Sequence, residues 1–154
     1  MKVKDDLDEL DLNILRELES NPNVGVRELA RKVKVPKSTI YYRLQRLKRL
    51  GVIKGYNIII DSEALGYEYH VVVFVRAKYG PHYHDEVGKI LSNNPYVQAV
   101  YYILGDWDFV VLAKFPKKEV YMDFLETLIN SKFVERSNTF IVAKIYKEDF
   151  RLKI

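Results

Sequence analysis

The hydrophobic pattern of this chain changes period once, and that change limits what the chain can fold into. Through about residue 55, apolar side chains recur every three or four positions, as at Leu7, Leu10, Ile14, Leu15 and Leu18. That spacing marks one face of an α-helix. From Tyr67 onward they arrive in short, dense runs separated by turn residues, the rhythm of strands with intervening helices. A helical unit followed by a mixed unit is the expectation, and 154 residues are enough for two small domains. The expected boundaries are 1–55 for the helical unit, 56–66 for a hinge strand and linker, and 67–154 for the mixed unit.

The helical unit breaks into three pieces. Ser20, Asn21, Pro22 and Asn23 stop the first helix. A second spans about 26–33, with Leu29, Ala30 and Val33 on one side, and Lys34, Val35 and Pro36 turn into a third that runs to Leu50. Gly51 follows, a residue suited to a left-handed C-terminal cap. Residues 57–60, Asn-Ile-Ile-Ile, read as a strand. Three helices with a tight turn between the second and third make a helix-turn-helix.

Charge singles out the third helix. Residues 27–54 hold ten basic side chains against one acidic, Glu28, a net of +9, whereas the first 26 residues net −4 and residues 62–154 net zero. Such a density is the footprint of a polyphosphate partner. At about 100° per residue, Ile40, Leu44 and Leu47 share an inward stripe. The opposite face carries Ser38, Tyr42, Gln45, Arg46 and Arg49, flanked by Tyr41, Arg43 and Lys48, with no carboxylate. The N-terminal part of such a helix enters the major groove of double-stranded DNA. Ser38, Tyr41, Tyr42 and Gln45 are therefore expected on base edges, and Lys37, Arg43, Arg46 and Arg49 on phosphates. A basic amphipathic helix that only solubilises the fold is the competing reading.

The mixed unit reads β-α-β-β-α-β. Strands are expected at 69–77, 97–104, 109–115 and 140–146, the last beginning a few residues earlier, with helices at 83–93 and 117–131. That order is the α+β, ferredoxin-like arrangement, two helices on one face of an antiparallel sheet. A sheet covered on one side should alternate apolar and polar residues. Here Val71, Val73 and Val75 are apolar and so are Val72 and Phe74 between them, and the later strands repeat the pattern. A second face this apolar does not rest comfortably in water, so a homodimer pairing these faces is expected. Between the middle strands lies Gly105-Asp106-Trp107-Asp108. Glycine permits close backbone approach, two carboxylates could hold an ammonium group, and Trp107 could exclude water, which makes the loop a small-molecule candidate. A tight turn whose aspartates bond the backbone is the alternative.

Other chemistries are excluded by what the chain lacks. Without cysteine there are no disulfide frameworks, thiolate metal sites or Cys nucleophiles. His70, His82 and His84 lack the spacing of a metal set. No Walker loop, GxGxxG, GxSxG or HExxH occurs, so neither an enzyme nor a cofactor is expected. Apolar runs are too short to cross a bilayer, and the acidic start lacks the apolar core of a signal peptide. A cytoplasmic protein that does not engage membranes is the expectation.

Leu29-Ala30, Ser38-Thr39-Ile40, Arg43-Leu44, Leu47 and the run from Gly51 to Tyr56 resemble the DNA-binding domain of the Lrp/AsnC (leucine-responsive, feast/famine) transcriptional regulators. Asp61, Ala64-Leu65-Gly66 and the 105–108 loop resemble that family's hinge and glycine–aspartate loop. The match runs from about Leu7 to Tyr146 in the family's order; Pro36 departs from it, standing where a small polar cap is usual. The resemblance implies a winged helix-turn-helix joined by a hinge strand to a ligand-sensing ferredoxin-like domain. It also implies dimers that assemble into octamers or larger discs, with an amino acid or related metabolite bound where dimers meet. It places Gly105, Asp106, Trp107 and Asp108 at that effector, with Tyr101, Tyr102 and Thr139 as further contacts. The expected function is a sequence-specific regulator on a pseudo-palindromic operator, its assembly or DNA affinity tuned by the effector. An architectural DNA-packaging oligomer with a metabolite-binding domain is the alternative.

Overall fold

The computed structural model describes residues 6–154. Packing divides them into two units, one holding the described residues through Ile59 together with Glu148–Ile154, the other Ile60–Lys147.

Three helices make the first unit: α1 (Glu9–Ser20), α2 (Val26–Lys32) and α3 (Lys37–Arg49). A reciprocal capping box starts α1. Asp11 N donates to Asp8 Oδ1 at 2.9 Å, and Asp8 N donates to Asp11 Oδ2 at 3.3 Å. At the end of α2 the chain reverses through Lys34, at φ 57°, and Val35 N donates back to Ala30 O at 3.0 Å. Pro36, at φ −59°, precedes α3 without a side-chain cap; its carbonyl accepts from Thr39 N at 3.0 Å and Ile40 N at 3.3 Å. The end of α3 repeats the reversal with Gly51 at φ 69° and Val52 N donating to Leu47 O at 3.0 Å, the left-handed cap that glycine suits. Ile14, Leu29, Ala30, Ile40 and Leu47 are the buried core of the unit, one face from each helix.

Residues 57–60, expected as a strand, form none. Isoleucine favours extended backbone, but a strand also needs a neighbour for its N–H and C=O groups. The four-stranded sheet does not include this segment, and Ile58 and Ile59 lie exposed.

The second unit contains β1 (Tyr69–Ala77), α4 (Tyr83–Ser92), β2 (Val97–Tyr102), β3 (Phe109–Phe115), α5 (Lys118–Ile129) and β4 (Val134–Ile141). The strands lie in the order β2-β3-β1-β4, every neighbouring pair antiparallel, which is the ferredoxin-like topology. Val71, Val73 and Val75 of β1 and Val111 and Phe115 of β3 meet Val87 and Leu91 of α4 and Phe124 and Leu128 of α5 in one core. Ile129, at the end of α5, is exposed. The last strand spans Val134–Ile141: it begins before 140, as expected, but ends at Ile141 and not at Tyr146. As an edge strand it carries Glu135, Arg136, Ser137 and Asn138, all exposed, so hydrophobicity marks only its two ends. Beyond it, a single bond from Val142 N to His70 O continues toward β1.

On the sheet face away from the helices, Val72, Phe74, Val110 and Leu112 are half-buried and Phe140 is exposed. The same face has a polar end. His70 and Lys114 stand opposite each other across β1 and β3, both buried. Lys114 Nζ donates to Ser62 Oγ at 3.1 Å, and His70 Nε2 lies 3.3 Å from the same hydroxyl. No helix among the described residues is long and apolar enough to cross a membrane.

Candidate functional site

The outer face of α3 is chemically uniform. Lys37, Ser38, Gln45, Lys48 and Arg49 are exposed, and Tyr41 and Tyr42 stand 59% and 61% accessible. Tyrosines this open contribute little to a core, so packing does not explain them. Lys48 Nζ lies 5.4 Å from the centre of the Tyr56 ring, holding one cation against the segment that follows the helix.

Arg43 and Arg46, expected on phosphates, are engaged elsewhere. Arg43 Nη1 donates to Asp8 Oδ2 at 2.6 Å and to Asp11 Oδ2 at 3.2 Å. Arg46 Nη1 donates to Asp11 Oδ2 at 2.7 Å, and its Nη2 donates to the carbonyl of Asp6. Asp11 is 0% exposed, and its Oδ1 has no hydrogen-bond partner among the described residues. A carboxylate taken out of water needs cations beside it, and one flank of α3 supplies two, one turn apart. The Asp11 N–H, and after it the Arg43 guanidinium, holds the Asp8 carboxyl below the ordinary aspartate value of 3.8. Asp8 in turn raises Arg43.

The 105–108 loop combines an anchored aspartate with an open one. Asp108 is buried; its Oδ2 accepts from Ala77 N at 2.9 Å and lies 3.6 Å from Arg76 Nε. Its backbone N–H donates to Val75 O at 3.0 Å, and its carbonyl accepts from Ile103 N at 2.8 Å. Its carboxylate, expected on a ligand, fastens the loop to the end of β1. Asp106 is exposed. Arg76 Nη1 donates to Gly105 O at 3.1 Å, and the Arg136 guanidinium lies over the Trp107 ring, 4.8 Å from its centre. Trp107 also meets Phe74 at 6.0 Å. The loop therefore gathers two cations, one open carboxylate and an aromatic wall.

The remaining residues expected at this site are dispersed. Tyr101 pairs with Val110 across to β3, and Tyr102 with Phe109, so successive tyrosines point to opposite faces of the sheet. The Tyr102 ring packs between His84 at 5.4 Å and Phe109 at 5.5 Å, on the side of α4. Thr139 pairs with Val73 in the outer strand β4. Arg76 and Arg136 were not expected at the loop: Arg76 is the one Lys, Arg, Asp or Glu in β1 and Arg136 follows Glu135 in β4, with nothing in the sequence to bring either there. Asp8 and Asp11 lie in the acidic start of the chain, with nothing in the sequence to pair them with α3.

A family model described as winged helix-turn-helix DNA-binding matches residues 7–54, and one described as the Lrp/AsnC ligand binding domain matches residues 72–152. The chain belongs to the Lrp/AsnC family. An uncharacterised HTH-type transcriptional regulator of Pyrococcus furiosus is 34% identical, over 96% of this chain and 99% of its own. The leucine-responsive regulatory protein of Klebsiella pneumoniae is 28% identical over 97% and 92%. A Neisseria meningitidis transcriptional regulator solved with L-Met superposes with a TM-score of 0.85 at 22% identity, covering 96% of each chain, which shows the shared fold. Lrp/AsnC proteins are transcriptional regulators and not enzymes, so this chain is a regulator with a DNA-binding and a ligand-binding domain.

Proposed function

We propose that this Lrp/AsnC regulator reads duplex DNA with the outer face of α3, and that a small zwitterion such as an amino acid, held at the 105–108 loop, tunes the reading. The observation that carries the first part is the α3 surface, where exposed tyrosines, amide, hydroxyl and cations stand together without a carboxylate. Ser38, Tyr41, Tyr42 and Gln45 contact base edges there, and Lys37 and Arg49 contact phosphates. Without DNA, Arg43 and Arg46 hold α3 to α1. The second part is supported by the loop: Arg76 and Arg136 suit a carboxylate, Asp106 suits an ammonium group, and Trp107 closes one side. The relative named for leucine and the neighbour solved with L-Met point to the same ligand class. Half-buried Val72, Phe74, Val110 and Leu112 support a homodimer through the open sheet face, so that two α3 helices address the halves of a pseudo-palindrome. Octamers are the further assembly this reading includes.

Selection of bound duplexes from a random pool, with and without each amino acid, tests both parts. A two-fold-symmetric consensus whose yield changes with one amino acid is expected. Protection of DNA without any enriched sequence would favour the packaging alternative.

The division of labour on α3 gives its own expectation. Gln45→Ala should cost about 1–3 kcal/mol at particular base pairs and little elsewhere. Arg49→Ala should weaken binding to every sequence and lower the slope of log K against log salt by about 0.9. Equal losses from both on selected and random DNA would refute the assignment.

A further inference from the structure

Asp8 occupies an unusual place among the contacts of α3. One of its oxygens, Oδ1, takes the Asp11 N–H as a helix cap, and the other, Oδ2, takes Arg43. Asp11, the second carboxylate, serves both arginines. The two acids differ in access: the Asp8 side chain is 52% exposed and that of Asp11 is 0%. Arg46 cannot leave Asp11 without weakening the neutralisation of a buried charge. Arg43 can leave Asp8 and its longer contact to Asp11, because water then solvates the Asp8 carboxylate, the cap bond stays, and Arg46 remains 2.7 Å from Asp11.

Arg43 flanks the outward face of α3, and its side chain is 22% exposed. A guanidinium accepts a carboxylate or a phosphate through the same forked donors, so a duplex backbone brought against this face competes for Arg43 on equal chemical terms. We infer that Asp8 is a built-in competitor of the DNA phosphate: off DNA it holds Arg43, and on DNA it gives Arg43 up. It thereby lowers affinity for any duplex by a constant factor and leaves discrimination to the base-reading side chains. This rests on the reading of α3 as the DNA-contacting helix. Arg46 takes no part in the exchange.

Asp8→Asn separates the cap from the charge, since asparagine caps a helix as well as aspartate does. Binding of the full chain is followed by fluorescence anisotropy on a labelled duplex of mixed sequence, over a series of potassium chloride concentrations. An exposed ion pair is worth up to about 1 kcal/mol, so removing the competitor should tighten binding about two- to fivefold at fixed salt. Arg43→Gln should weaken binding and lower the salt slope by about 0.9, one phosphate contact. In the Arg43→Gln background, Asp8→Asn should give no gain. Asp8→Ser, which caps through its hydroxyl, repeats the test if the asparagine variant folds poorly.

No gain from either neutral cap overturns the inference, as does an Arg43→Gln slope equal to the parent's. A gain that persists without Arg43 also overturns it, because the effect would then be net charge alone. A parent chain that shows no salt-dependent binding to any duplex fails the α3 reading instead, and is told apart by that.

Discussion

Arg46→Ala is expected to destabilise the helical unit rather than merely to weaken its hold on DNA. The side chain reaches back from α3 to Asp11 of α1 at 2.7 Å, and Asp11 is 0% exposed. Removing one partner of a buried pair costs about 3–5 kcal/mol, because a charge is left without compensation. Arg43, still 3.2 Å from the same oxygen, softens the loss, and the Arg46 side chain is itself 26% exposed. About 2–3 kcal/mol is the resulting expectation, read as a fall in the denaturant midpoint of helical circular dichroism. A variant as stable as its parent but uniformly weaker on DNA would return Arg46 to the phosphate backbone.

Phe115→Ala should have a larger effect, in the other unit. Phe115 is 0% exposed, and its ring packs 5.2 Å from Phe124, 5.7 Å from Tyr96 and 5.7 Å from Tyr121. These neighbours come from α5 and from the segment before β2, so the ring ties α5 to the sheet, which the backbone ladder does not. Truncating a fully buried phenylalanine costs about 3–5 kcal/mol, part transfer and part residual cavity. Near-ultraviolet circular dichroism from the tyrosines should collapse at a lower denaturant concentration than in the parent. Phe115→Leu, which restores most of the volume, should recover most of the midpoint. Equal midpoints for the alanine variant and the parent would mean the cluster relaxes around the gap.

Features with a local cause were legible in the chain. The α3 stripe of Ile40, Leu44 and Leu47, the Gly51 reversal and the β-α-β-β-α-β order follow from side-chain period and turn chemistry, which act within a few residues. Residues 57–60 failed because a strand is completed by a neighbour, and three isoleucines record only half of that requirement. The exact start of β4 was not legible for the opposite reason: an edge strand needs no apolar signature where it faces water. At the site, exposure on α3 could be read from helical geometry, but the occupancy of its arginines could not. Arg46 lies 35 positions from Asp11, and nothing in either neighbourhood announces the pairing. The same holds for Arg76 and Arg136, and for Asp108, whose partner is a backbone amide at the end of a different strand.

The turn at Lys34 has a mechanical consequence. A residue bearing a Cβ at φ 57° pays about 1–2 kcal/mol that glycine would escape, yet its Cβ also forbids most of the backbone geometries glycine would explore. The joint between α2 and α3 thus behaves as a weld rather than a pin. Relaxing it would lower strain while broadening the range of angles at which α3 is held out, so that each encounter would have to spend freedom the present joint has already surrendered.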